Sequence, residues 1–119
     1  MYDSFDRNVP VFLQIKDRLK SDILNGVFSP RDKIPSVRQL ALDMSVNPNT
    51  VQRALYILEE EGLIVTEGTT GKFVTDDGEL IEKCRLEMRE QALDSWLRHA
   101  HSLGITDEEI INFIERGRK

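Results

Sequence analysis

Apolar positions in the first half of the chain recur with a helical period and then give way to the β-branched runs of short strands. Val51, Ala54, Leu55 and Leu58 fall at i, i+3, i+4 and i+7, so a helix here turns one face to a core and leaves Asn49, Gln52, Arg53 and Tyr56 outside. Leu40, Ala41 and Met44 make a shorter stripe just upstream. The breaks between the two are chemically marked. Ser36 can cap the first of these helices, with Gln39 at the spacing of a capping box. Asn47 can cap the second, with Pro48 at the first helical position, where a missing N–H costs nothing. An earlier helix is expected to open around Val9-Pro10-Val11-Phe12 and run to about Asn25, with Gly26 as its stop. Phe12, Ile15, Leu19 and Ile23 form its ridge, joined by Leu24 and Val27. Phe28, Pro30, Ile34 and Pro35 then shape a loop that leaves Arg31 and Lys33 exposed.

Past Leu58 the cluster Glu59-Glu60-Glu61, expected as solvated helix surface, ends at Gly62, a natural left-handed stop. Leu63-Ile64-Val65-Thr66 and Lys72-Phe73-Val74-Thr75 read as strands, and the two glycines of Glu67-Gly68-Thr69-Thr70-Gly71 permit a tight reversal between them. A hairpin directly after two capped helices predicts a winged helix-turn-helix. The second helix, bare at its N-terminal end and rich in amide and guanidinium groups, is shaped for the major groove of DNA. The tip of the wing would offer backbone N–H groups, the hydroxyls of Thr69 and Thr70, and Lys72 to a phosphate backbone or minor groove.

Residues 77–119 read differently. One long helix is expected from about Glu79 to Ser102, stopped near Gly104, followed by a short helix opened by the capping box Thr106-x-x-Glu109. Apolar residues recur at Ile81, Cys84, Met88 and Ala92, then at Leu93, Trp96, Leu97, Ala100 and Leu103, and Ile110, Ile111, Phe113 and Ile114 supply a face for the short helix. Two helices cannot bury so wide a stripe alone. The economical partner is the same segment of a second copy, with Ile81, Cys84, Met88, Leu93, Trp96, Leu97, Ala100, Ile110, Phe113 and Ile114 as the dimerisation residues. A small-molecule effector between the copies is compatible with this arrangement but is not indicated by it.

Over residues 5–76 the chain resembles the GntR family of bacterial winged-helix transcription regulators. The matching elements are Pro10-x-Phe12-x-Gln14-Ile15, Gly26, Lys33-Ile34-Pro35-Ser36-Val37-Arg38-Gln39-Leu40-Ala41, Val46-Asn47-Pro48-Asn49-Thr50-Val51, Ala54, Leu58-Glu59-x-Glu61-Gly62-Leu63-Ile64 and Gly71-Lys72-Phe73-Val74. The Asn-Pro-Asn-Thr turn and the short tail look like the YtrA subfamily, which implies a dimeric repressor without a large effector domain and a link to ABC transporter genes. The resemblance further implies that Ser36 and Arg38 meet DNA from the first helix of the motif. Asn47, Asn49, Thr50, Gln52 and Arg53 would do so from the recognition helix, and Thr69, Thr70, Gly71 and Lys72 from the wing. The chain departs from the family pattern where many relatives carry arginine, at Pro48 and Gln52, and where they carry basic residues, at Glu67, Thr69 and Thr70. Proline cannot donate to a base, and glutamine favours adenine where arginine favours guanine, so the operator sequence cannot be copied from better-known relatives.

Composition narrows the picture. A chain of 119 residues with 39% apolar content holds one domain and a small appendage. The formal net charge of −5 argues mildly against a polyanionic partner. Between Arg31 and Leu58, however, the cations Arg31, Lys33, Arg38 and Arg53 outnumber Asp32 and Asp43. So few cations imply few phosphate contacts per subunit, and hence two subunits acting together. A single cysteine excludes an internal disulfide, and no signal peptide or long apolar run is visible, which predicts a cytoplasmic protein that does not enter a membrane. Cys84, His99 and His101 lack any spacing typical of zinc, so no metal or cofactor is expected. With no nucleophile–base pair and no phosphate-binding glycine loop, no enzyme is expected. Taken together, the sequence predicts a mainly α fold with a small β-wing. Residues 1–76 would form a winged helix-turn-helix domain and residues 77–119 a two-helix dimerisation tail. The predicted function is sequence-specific binding of double-stranded DNA at an inverted-repeat operator by a homodimeric repressor. The alternative is a winged-helix protein–protein interaction module that does not read DNA.

Overall fold

The computed structural model describes residues 5–117. Seven elements follow in the order α1 (Val11–Leu24), α2 (Val37–Met44), α3 (Pro48–Glu60), β1 (Ile64–Glu67), β2 (Gly71–Val74), α4 (Gly78–Ser102) and α5 (Asp107–Arg116). Backbone packing divides the chain into two compact units, the first ending at Arg85 and the second beginning at Leu86.

In the first unit α3 packs against α1, α2 and β1. Ile15, Leu19, Ile23 and Leu24 from α1, Leu40, Ala41 and Met44 from α2, and Val51, Ala54, Leu55 and Leu58 from α3 are all buried, with Leu63, Ile64 and Val74 closing the core from the sheet. The helical stripes of the sequence are therefore the core, except that Phe12 is half-buried and Val27 is 67% exposed: the chain leaves the ridge at Gly26, whose φ of +81° turns it away. Pro10 gives α1 no side-chain cap. Instead the Gln14 amide donates to the carbonyls of Asp6 and Val9 and its oxygen accepts from the Asp6 amide, tying the preceding segment to the helix. Ser36 accepts from the Gln39 amide at 3.1 Å. The reciprocal half of the expected capping box is absent, because the Gln39 side chain donates to Asp43 one turn ahead.

β1 and β2 pair antiparallel, Ile64 with Val74 through Glu67 with Gly71, and the Thr70 amide closes the turn onto the Glu67 carbonyl at 3.0 Å. The loop expected after α1 adds to this sheet. Lys33 bridges Phe73, the Ile34 amide donates to the Lys72 carbonyl, and the Arg31 amide donates to Val74. The acidic cluster is not plain solvated surface either: Glu59 is bonded by Lys72 and Thr66, and Glu61 by Lys20.

The first unit also takes in the start of α4. Asp77 accepts from the Leu80 amide at the helix start, Ile81 is buried, and Arg85 Nε donates to the Leu24 carbonyl at 2.6 Å. The unit thus runs past the expected boundary at residue 76, and Ile81, expected in a dimer contact, is covered by its own chain.

In the second unit the turn after α4 passes through Gly104 at φ +82°, and Thr106 and Glu109 form both halves of the capping box. Ala100 and Ile110 are buried inside this unit, so they too are withdrawn from a partner. Leu93, Trp96, Leu97, Phe113 and Ile114 are left exposed, as are Leu86, Leu103, Ile105 and Ile111. Met88 is half-buried, as is Cys84 in the first unit.

Candidate nucleic-acid interface

The helix-turn-helix owes its geometry to two caps and one left-handed residue. Ser45 ends α2 at φ +56°, a conformation strained for any residue with a Cβ, and the Val46 amide returns to the Ala41 carbonyl. The chain then enters α3 through Asn47, whose Oδ1 accepts from the Asn49 amide at 2.8 Å. This bond uses the Asn47 oxygen as a cap and leaves its NH2 facing solvent.

From that start Asn49, Gln52 and Arg53 are exposed and Thr50 is half-buried. Among the described residues the side chains of Arg38, Asn49, Thr50 and Gln52 make no hydrogen bond or ion pair. A helix end carrying unsatisfied amide and guanidinium groups over a rigid core is preorganised to give those bonds to base edges or phosphates. Arg53 is held differently, its guanidinium lying over the Phe12 ring at 3.8 Å. Phe12, read from sequence only as part of a core ridge, is half-buried and supports this arginine through cation–π contact.

At the wing, Thr69 and Thr70 are exposed and Gly71, at φ +134°, is half-buried. Lys72 is not directed outward as expected. It shares a face of β2 with buried Val74, two residues on, so the pleat aims it at the body of the protein. There its Nζ meets Glu59 Oε1 at 2.5 Å and Thr66 Oγ1 at 3.0 Å. Partial burial pushes the Glu59 carboxyl up, but the bonds from Lys72 and Thr66 and the ammonium charge outweigh it, and the group lies below its ordinary value. The contact clamps the wing to the C-terminal end of α3.

Elsewhere, His101 pairs with Asp107 at 2.6 Å in the second unit. Among the described residues no group of three or more His, Cys, Asp or Glu is arranged to hold a metal ion, and no helix is long and apolar enough to cross a membrane.

This architecture is shared. Residues 12–74 match the family described as "Bacterial regulatory proteins, gntR family". The HTH-type transcriptional repressor YtrA of Bacillus subtilis is 34% identical over 91% of this chain and 84% of its own length. A GntR family transcriptional regulator from Listeria monocytogenes superposes with a TM-score of 0.86 at 36% identity, covering 94% of this chain and 98% of that one. The AraR DNA-binding domain, solved in complex with operator ORR3, superposes with a TM-score of 0.55 at 29% identity over 61% of this chain and 86% of that one. The relatives are regulators of transcription rather than enzymes. With its winged helix and capped recognition helix, the chain belongs to the GntR family of DNA-binding bacterial transcriptional regulators.

Proposed function

We propose that the chain acts in the cytoplasm as a homodimeric, non-enzymatic repressor that blocks a promoter by occupying an inverted-repeat operator. In this reading Asn47, Asn49, Thr50, Gln52 and Arg53 enter the major groove from α3, Ser36 and Arg38 approach from α2, and Thr69, Thr70 and Gly71 meet the backbone from the wing. The observation that carries the reading is the N-terminal end of α3, where, among the described residues, the side chains of Asn49, Thr50 and Gln52 make no hydrogen bond, above a buried apolar face. Gln52 selects adenine through a bidentate pair. Two reading heads are needed because each unit offers few free cations, and twofold protein symmetry is mirrored by a palindromic site.

The tail supplies the pairing surface. Leu86, Leu93 and Leu97 line one open groove of the second unit, and Trp96, Ile105 and Phe113 line another. Apolar surface of this extent, rimmed by Glu90, Asp94 and Arg116, suits a second copy of the same helices. Selection of duplexes from a random-sequence pool, followed by gel-shift titration, tests the reading. It expects recovered sites that share an inverted repeat and scrambled duplexes that bind at least a hundredfold more weakly. Equal affinity for selected and scrambled duplexes at physiological salt would leave a winged-helix module that meets another protein.

A further inference from the structure

We infer that the phosphate-contacting cation of the wing is Lys33, delivered from the segment before α2, and that Lys72 is a positioning residue which holds the wing in place. The inference deepens the proposed DNA reading and rests on it. The small sheet gathers three cations, Arg31, Lys33 and Lys72. Arg31 lies 3.3 Å from Asp76, and Lys72 is bonded to Glu59 and Thr66 with its side chain 24% exposed. Among the described residues Lys33 has no such partner.

Backbone pairing explains how Lys33 reaches the wing. Its bridge to Phe73 lays the Lys33 segment along the open edge of β2, on the side away from β1. From there the side chain crosses Gly71 at the tip: a Cβ built on Gly71 would stand 3.0 Å from Lys33 Cε and 3.7 Å from its Nζ. Gly71 and Lys72 point to opposite faces of β2. The ammonium of Lys33 therefore lies over the face opposite the clamp, next to Gly71 at the end of the wing turn. A glycine at this position both adopts φ +134° and leaves room for the lysine stem.

The two lysines differ in what they can give to DNA. A free ammonium that meets a phosphate releases a condensed counterion, which appears as salt dependence of about 0.9 in the logarithmic slope per contact. Lys72 already neutralises a carboxylate, so moving it to a phosphate would exchange one anion for another and leave half-buried Glu59 unpaired.

The full-length chain carrying Lys33→Gln or Lys72→Gln, together with the double variant Glu59→Gln/Lys72→Gln, tests the inference. The probes are a duplex selected by the parent chain from a random pool and a scrambled duplex of equal length, titrated across a range of salt. Lys33→Gln should weaken both duplexes by the same factor and lower the slope by about one per subunit. The double variant, which loses both charges of the clamp and leaves no orphaned carboxylate, should keep the parent slope. A Lys33→Gln slope equal to the parent's, with the double variant losing about one, would overturn the inference and return the contact to Lys72. A parent that binds both duplexes equally would instead overturn the DNA reading beneath it, and the inference with it.

Discussion

The two units of this chain use the same helical vocabulary to opposite ends. In the first, α1, α2 and α3 bury their apolar faces on one another, with side chains such as Ile15, Leu24, Val51 and Leu58 wholly enclosed. In the second, α4 and α5 enclose only Ala100 and Ile110 among the described residues and leave Leu93, Trp96, Phe113 and Ile114 in solvent. Three helices and a sheet can enclose a shared core; two helices cannot enclose one of that size. The first unit thus has an apolar core of its own and presents a polar helix end outward, whereas the second leaves most of its large apolar side chains exposed. In the proposed function, the first unit reads DNA and the second pairs two copies.

The largest effect should separate the units most clearly. Leu55→Ala, at a residue 1% exposed in the first unit, is expected to cost about 2–5 kcal/mol in denaturant unfolding. Leu93→Glu, at a residue 64% exposed in the second, should leave the unfolding of the isolated monomer within about 0.5 kcal/mol of the parent. Equal costs would mean that the second unit has a core of its own.

Next in size is the position of the boundary. A chain ending at Arg85 should unfold cooperatively, and one ending at Asp76 should be less stable by about 1.5–3 kcal/mol through loss of buried Ile81. Equal stability would place the start of α4 with the second unit. Gly62→Ala should follow at about 1–2 kcal/mol, because φ is +81° there. The added Cβ would also stand 3.2 Å from Leu80 Cδ2.

Acid should produce the smallest and most local change. Glu59 and Glu109 both titrate below the ordinary carboxylate value of 4.5, Glu59 because the Lys72 and Thr66 bonds outweigh its burial and Glu109 because the Thr106 amide and hydroxyl bond it. A lowered folded value gives stability that is present above the unfolded value and lost as pH falls through the folded one. Protection factors of the amides in β1 and β2 should thus hold steady down to about pH 5 and decline below pH 4.5, in parallel with fraying at the start of α5. Glu59→Gln should remove the β-sheet response and spare that of α5.

Much of this was legible in the chain. The stripes Val51-Ala54-Leu55-Leu58 and Leu40-Ala41-Met44, the caps Ser36, Asn47 and Thr106, and the stops Gly26, Gly62 and Gly104 each depend on neighbours within a turn or two. What escaped the sequence depends on residues far apart along it. The bridge from Lys33 to Phe73 and the clamp from Lys72 to Glu59 appear only once α3 and the sheet have packed. The alternation of β2 does mark Lys72 as inward-facing, since it stands two residues before buried Val74. Ile81, Ala100 and Ile110 fit the apolar stripe of the tail as well as Leu93 did. Periodicity identifies a face but not what covers it.

Whether the second unit pairs two reading heads is decided by sedimentation equilibrium at micromolar concentration. The full chain, 13.7 kDa as a monomer, should sediment at twice that mass, and both Leu93→Glu and the chain ending at Arg85 should sediment as monomers. A monomeric full chain, or a stable dimer of the chain ending at Arg85, would mean that the second unit does not pair the heads.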